Sequence, residues 1–196
     1  MLILASNSKT RQDMLQRAGV SYCAEPSRVD EDTAKQSALA ENMPPDEIAV
    51  MLADLKARQV AFRFPEVMVL GCDQTLSCAG RLFDKPKDSD HVRAHLVALS
   101  GKTHQLHSAA VIYFKGQRIW HSLTHAKLEM RPLSSKFITW YKNEMGNKAL
   151  QSVGAYQIEG LGAQLFTKVE GDIFTIMGLP LLELCAFLRK HKELKS

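Results

Sequence analysis

The chain opens on Leu2-Ile3-Leu4-Ala5, a short apolar strand that runs straight into Ser6-Asn7-Ser8 and then into a helix headed by Lys9-Thr10-Arg11. A buried strand feeding a helix without an intervening loop belongs to layered α/β architecture. The junction leaves the first helical N–H groups unpaired and pointing outward, where the helix dipole favours an anion. Ser6 and Ser8 can add O–H donors, and Arg11 can grip phosphate oxygens with its planar fork. Ser-Asn-Ser ahead of a helix is also an ordinary N-cap, so the motif alone leaves both readings open.

The alternation continues along the chain. Lys9–Ala18 reads as a helix closed by Gly19, and Val20–Ala24 as a second strand. Pro26–Asp32 is a turn-rich acidic stretch, followed by a polar helix broken near Pro44-Pro45. In Asp46–Phe62, Ile48, Met51, Leu52, Leu55 and Gln59 follow the three-four spacing of a helix, with Asp46 near its N-terminus as a cap. Val67–Gly71 is the compact apolar run of a central strand, delivering Asp73 at its carboxyl end. Arg81–Asp88 is expected as a loop, Asp90–Leu99 as a helix, and Gln105–Phe114 with Gln117–Met130 as a hairpin turning at Lys115-Gly116. Pro132–Met145 is expected as a helix, Gly154–Glu170 as a glycine-punctuated strand region, and Pro180–Lys190 as the last helix. The mixture predicts an α/β fold with a mixed sheet.

At 196 residues the chain fits one large domain or two small lobes. No run approaches the ~18 apolar residues of a membrane span, and no basic stretch precedes a signal-like core, so neither membrane insertion nor export is expected. Cys23, Cys72, Cys78 and Cys185 are scattered among apolar neighbours, as reduced, buried thiols of a cytoplasmic protein would be. A formal charge of +4 can attract a polyanionic small molecule but falls short of the basic stripe of a nucleic-acid binder.

Five polar clusters interrupt these apolar surroundings: Ser6/Ser8/Arg11, Asp30-Glu31-Asp32, Lys56, Asp73-Gln74 and Lys85. Ligands of open α/β sheets settle beyond the carboxyl ends of strands, where the Ser6 and Asp73 turns are expected. The set is that of metal-assisted phosphate chemistry: carboxylates for Mg²⁺, cations for phosphate charge, and one carboxylate to orient water. Other motifs fail. Ser100-Gly101-Lys102-Thr103 has Leu96 where a P-loop needs glycine. His91/His95 and His121/His125 lack the glutamate of a zinc helix, and Gly160-Leu161-Gly162 lacks the third glycine of a dinucleotide fingerprint.

Taken in order, LILASNSKTRQDML, RVDED, LADLKA, VLGCDQT, LFDKPKD, LSGKTHQLHSAA, GAYQIEGLGAQLF and VEGDIFTIMGLPLLEL resemble the Maf family of nucleoside triphosphate pyrophosphatases, from residue 2 to about 184. The resemblance implies a single Maf-like domain over residues 1–196. It implies an elongated α/β fold related to the inosine triphosphate pyrophosphatases, with a mixed β-sheet flanked by helices and an active-site cleft. It also implies a divalent metal (Mg²⁺ or Mn²⁺), cleavage between the α and β phosphates, and often a homodimer. By the same resemblance Asp73 falls on the proton acceptor and Glu31 on the second, metal-binding acid. Ser8, Arg11, Lys56 and Lys85 then face the triphosphate, and Ser6 joins them as a donor of the same turn. Where the family usually has Pro-Arg-Arg this chain has Lys9-Thr10-Arg11, so one arginine is absent. Asp73-Gln74 and Ile158-Glu159-Gly160 resemble the branch associated with 7-methyl-GTP more than the dTTP/UTP branch, which makes Thr10, Gln74 and Glu159 the base-selecting positions. The rival reading from another class is a non-catalytic, nucleotide-binding regulator of cell division.

Overall fold

The computed structural model describes residues 1–194. Seven strands form one mixed sheet, in the order β2-β1-β3-β5-β6-β7 with β4 (Arg81–Phe83) paired to β3, and helices flank it. The fold is α/β. Its described residues gather into two compact units, the first holding residues 1–74, 107–124 and 173 onward, the second 75–106 and 125–172. The strands β3 (Met68–Cys78), β5 (Thr103–Phe114) and β6 (Gln117–Met130) contribute residues to both.

In the first unit β1 (Leu2–Leu4) lies parallel between β2 (Tyr22–Ala24) and β3, with Ile3 opposite Cys23 and Val69. Side chains alternate between the two sheet faces. Leu2, Leu4, Leu70 and Cys72 pack with Met14 and Leu15 of α1 (Lys9–Arg17) and with Leu181, Leu184 and Leu188 of α7 (Leu181–Lys190). Ile3, Ala5 and Val69 pack against Val60 and Ala61 of α3 (Pro45–Ala61) on the other face.

In the second unit α4 (Ser89–Leu99) and α5 (Ser135–Met145) pack on each other, and β7 (Phe166–Glu170) runs antiparallel to β6. Thr75 and His104 are buried polar residues of this unit. His104, 1% exposed, meets the Tyr156 hydroxyl through Nε2 at 2.8 Å, and its buried Nδ1 has no partner. Burial holds the His104 pKa down at about 4, against an ordinary 6.5, so the ring is neutral in the folded state. The unfolded chain therefore takes the proton first as pH falls. The stability that neutral His104 contributes is complete above about pH 6.5 and is lost on the way down to about pH 4. That gap is worth roughly 3 kcal/mol. The melting temperature is expected to drop steeply across this window, and His104→Phe to flatten the drop; an unchanged slope in the variant would assign the acid sensitivity elsewhere.

Several expectations need correction. β3 does not stop at Gly71: it runs on to Cys78, so Asp73 lies inside the strand rather than in a turn after it. Arg81–Asp88 contains β4, because Leu76, Ser77 and Cys78 supply a pairing edge for Phe83, Leu82 and Arg81. Of Gly154–Glu170 only Phe166–Glu170 is strand; the glycines before it serve short 3₁₀ turns. Asp46 sits in the first turn of α3 behind Pro44 and Pro45, and Pro44 takes the cap position without a side-chain bond. The helix expected from Pro132 begins at Ser135, capped by Ser134. All four cysteines are free, but Cys23 is exposed on the edge strand β2 and Cys185 is only partly buried.

Candidate active site

The centre of the first unit is a close approach of α3 to β3. Ala49, Ala53 and Ala57 present a face of small residues, and Gly71 opposite them has no side chain. The approach brings Lys56, on the same helix, against Asp73, which shares Gly71's face of the strand two residues further on. The Lys56 ammonium lies 2.6 Å from Asp73 Oδ1 and 2.7 Å from Glu31 Oε2. Lys56 and Asp73 are buried, whereas the Glu31 side chain is 46% exposed, so the trio opens to solvent on the glutamate side. Glu31 heads α2 (Glu31–Ala40), whose cap is Asp30: its carboxylate accepts from the Thr33 N–H at 3.1 Å. The stretch expected as an acidic turn is thus a helix start that aims one of its carboxylates at Lys56.

Two carboxylates flank one ammonium, an arrangement with acceptor oxygens for an incoming cation. Among the described residues no group of three or more His, Cys, Asp or Glu side chains gathers as a ready metal nest. Two hard oxygen donors nonetheless fit Mg²⁺ or Mn²⁺, ions of the kind held by one or two carboxylates with substrate phosphates and water completing the shell.

The β1–α1 turn places two hydroxyls at the N-terminus of α1. Ser8 caps α1 by accepting from the Arg11 N–H at 3.4 Å, and Ser6 Oγ accepts from the Ser8 N–H at 3.2 Å. Both hydroxyls therefore use lone pairs on the chain and keep their protons for an outside acceptor. Arg11 is buried, and its fork is spent inward. Nε donates to the Gly178 carbonyl at 2.8 Å, and Nη1 donates to the Cys72 carbonyl at 2.9 Å and to Ser6 Oγ at 3.4 Å. The protons of Nη2 are what Arg11 has left for a ligand. Thr10 stands half-buried in the first turn of α1.

Gln74 follows Asp73 on β3 and so faces the opposite side of the sheet. Its amide nitrogen donates to Ser108 Oγ and to the carbonyls of Thr175 and Ile176, each at 3.0 Å. Lys85 and Glu159 belong to the second unit, Lys85 exposed in the β4–α4 loop ahead of buried Pro86 and Glu159 exposed in a turn after Tyr156. The first unit thus holds two groups, Ser6, Ser8 and Arg11 joined at the β1–α1 turn and Glu31, Lys56 and Asp73 joined through the lysine.

The family model described as Maf-like protein matches residues 1–191. The chain belongs to the Maf-like family. Among its Maf-like relatives, the nucleoside triphosphate pyrophosphatase of Paramagnetospirillum magneticum is 48% identical over 192 residues, covering 98% of this chain and 99% of that protein. The 7-methyl-GTP pyrophosphatase of Mesorhizobium japonicum is 50% identical over 188 residues, covering 96% and 94%. That of Rhizobium etli is 47% identical over 189 residues, covering 96% and 95%.

Sequence reasoning did not single out Ser108, Thr175 or Gly178, which hold Gln74 and Arg11 of this Maf-like chain. All three lie inside the stretches LSGKTHQLHSAA and VEGDIFTIMGLPLLEL, where small or hydroxyl residues in apolar runs make a pattern that most cores contain.

Proposed function

We propose that the chain hydrolyses a nucleoside triphosphate to the monophosphate and pyrophosphate. The observation that carries the reading is the buried Lys56 ammonium held between Asp73 and Glu31, in the same unit as Ser6, Ser8 and Arg11. Water attacks the α-phosphorus as Asp73 takes its proton, and the bond from that phosphorus to the oxygen bridging to the β-phosphorus breaks. Pyrophosphate leaves with its charge met by Lys56, Arg11 Nη2 and the hydroxyl protons of Ser6 and Ser8. Glu31 and Asp73 would hold a divalent cation, Mg²⁺ or Mn²⁺, which would supply further charge neutralisation. Lys85 adds a cation to the triphosphate, a role supported by its place in the family's LFDKPKD stretch.

For the base, the reading is 7-methyl-GTP or a similarly modified nucleotide, removed before it is used. It is supported by Asp73-Gln74 and Ile158-Glu159-Gly160 and by the printed names of two relatives at 47% and 50% identity. A carboxylate at Glu159 suits a cationic N7-methylated guanine with its N1–H and N2–H donors. The four free cysteines agree with a cytoplasmic enzyme.

The test is pyrophosphate release from 7-methyl-GTP, GTP, dTTP and UTP with Mg²⁺ or Mn²⁺. Preference for 7-methyl-GTP is expected. Preference for dTTP or UTP keeps the chemistry and overturns the base assignment, and silence from folded, metal-supplied protein overturns the catalytic reading in favour of a regulator.

A further inference from the structure

The chain leaves β2 at Glu25, whose N–H donates to the Leu4 carbonyl at 3.0 Å, and enters α2 at the Asp30 cap. Between them the Arg28 N–H donates to Gln59 Oε1 of α3 at 2.5 Å. Gln59 is exposed, although its spacing placed it with the apolar stripe of that helix. It stands one turn after Lys56, so the two side chains lie next to each other on one helix face. Lys56 in turn meets Glu31 Oε2 at 2.7 Å. The segment from Arg28 to Glu31 is therefore fastened to α3 at both ends, by a backbone N–H at one and a carboxylate at the other. The rest of α2 gives the glutamate little support. Glu31, Asp32 and Thr33 are exposed, and the residue this helix buries is Ala38, about two turns further on. The Asp30 cap orders the helix, but its bonds run to Thr33 of the same helix and do not fix it against α3. A helix head without a buried side chain opens at low free-energy cost unless something else holds it.

We propose that Gln59 is a positioning residue for Glu31. By holding the Arg28 N–H it keeps the head of α2 docked beside Lys56, so that the Glu31 carboxylate stays at the site. Lys56 cannot do this alone, because its ammonium is shared with Asp73 and, in the proposed reaction, with the departing pyrophosphate. The inference rests on the reading of this chain as a triphosphate pyrophosphatase with Lys56 and Glu31 in its site. Gln59 touches neither substrate nor metal and acts through the backbone of residues 28–31.

The test compares wild type with Gln59→Leu, which removes the acceptor at similar size, and Gln59→Glu, which keeps an acceptor oxygen at the same reach. Gln59→Leu is also made in a Glu31→Gln background. One readout is hydrogen exchange, followed by NMR without substrate, at the backbone amides of Arg28 and of Thr33 and Ala34 in the head of α2. The other is kcat/KM for pyrophosphate release, with Mg²⁺, from whichever triphosphate the wild type turns over fastest. Gln59→Leu is expected to speed exchange at all three amides and to lower kcat/KM about 5-fold, the size of one hydrogen bond. Gln59→Glu is expected to restore both. In the Glu31→Gln background Gln59→Leu is expected to cost little further, since no carboxylate is left to place, whereas a general loss of stability would lower the rate in either background. Unchanged exchange at Arg28 in Gln59→Leu overturns the anchor, and Gln59→Glu behaving as Gln59→Leu overturns the part of the acceptor oxygen. Faster exchange with unchanged kcat/KM, or an equal loss in the Glu31→Gln background, overturns the placing of Glu31. If the wild type turns over none of the triphosphates, the functional reading fails, while the exchange measurement still decides whether Gln59 docks the head of α2.

Discussion

Asp73→Asn is expected to lower kcat for pyrophosphate release by at least ~10²-fold, the usual cost of removing a general base. The substitution keeps the shape and burial of the side chain and removes only its charge and its ability to take a proton. Lys56 keeps Glu31 as a partner at 2.7 Å, so no buried ammonium is left alone and the fold survives. KM is expected to change far less than kcat, because the proposed mechanism has Asp73 act on the attacking water and leaves the grip on the triphosphate to Lys56, Arg11, Ser6 and Ser8. On the proposed mechanism Glu31→Gln loses one of two carboxylates for the metal, so its deficit is expected to shrink as Mn²⁺ is raised, whereas that of Asp73→Asn persists. Near-normal turnover of Asp73→Asn would falsify its role as the base.

The two carboxylates and the lysine were legible in the sequence because each breaks an apolar pattern: Asp73 behind Val-Met-Val-Leu-Gly, Lys56 inside a periodic helix, Glu31 in an acidic cluster. Their meeting was not legible from the pattern alone, since it depends on how near α3 comes to β3. The length of β3 was misread for a related reason. Gly71, Asp73, Gln74 and Ser77 look like the end of a strand, yet the hairpin partner β4 and the neighbouring β5 keep the backbone paired to Cys78. Arg11 and Gln74 were read as residues facing a ligand because polar side chains near a strand end usually do. Both also donate to backbone carbonyls of the 175–178 turn, a tie about a hundred residues or more away in sequence that leaves no local trace.

The residue on which the site's geometry turns is one that carries no chemistry. Gly71→Ala is expected to be among the most damaging single-methyl changes available to this chain. A carbon added there would lie 2.6 Å from the Ala57 amide nitrogen and 2.8 Å from Ala57 Cβ, and it would also run into the Ala53 carbonyl oxygen. Backbone atoms of a helix cannot step aside as a flexible side chain can, so α3 must shift as a body. Overpacking of this kind costs typically 1–3 kcal/mol, and more where, as here, the obstacle is main chain. The shift also carries Lys56 away from Asp73, and a displacement of about 1 Å at reacting groups can cost ~10²-fold in rate. The variant should therefore melt several degrees lower and, at a temperature where it is still folded, show depressed kcat. Ala57→Gly combined with Gly71→Ala removes the clash with the methyl but not those with the backbone, so only partial recovery of Tm is expected. A Gly71→Ala protein that melts with the wild type would mean that α3 and β3 stand further apart than the Lys56–Asp73 contact requires.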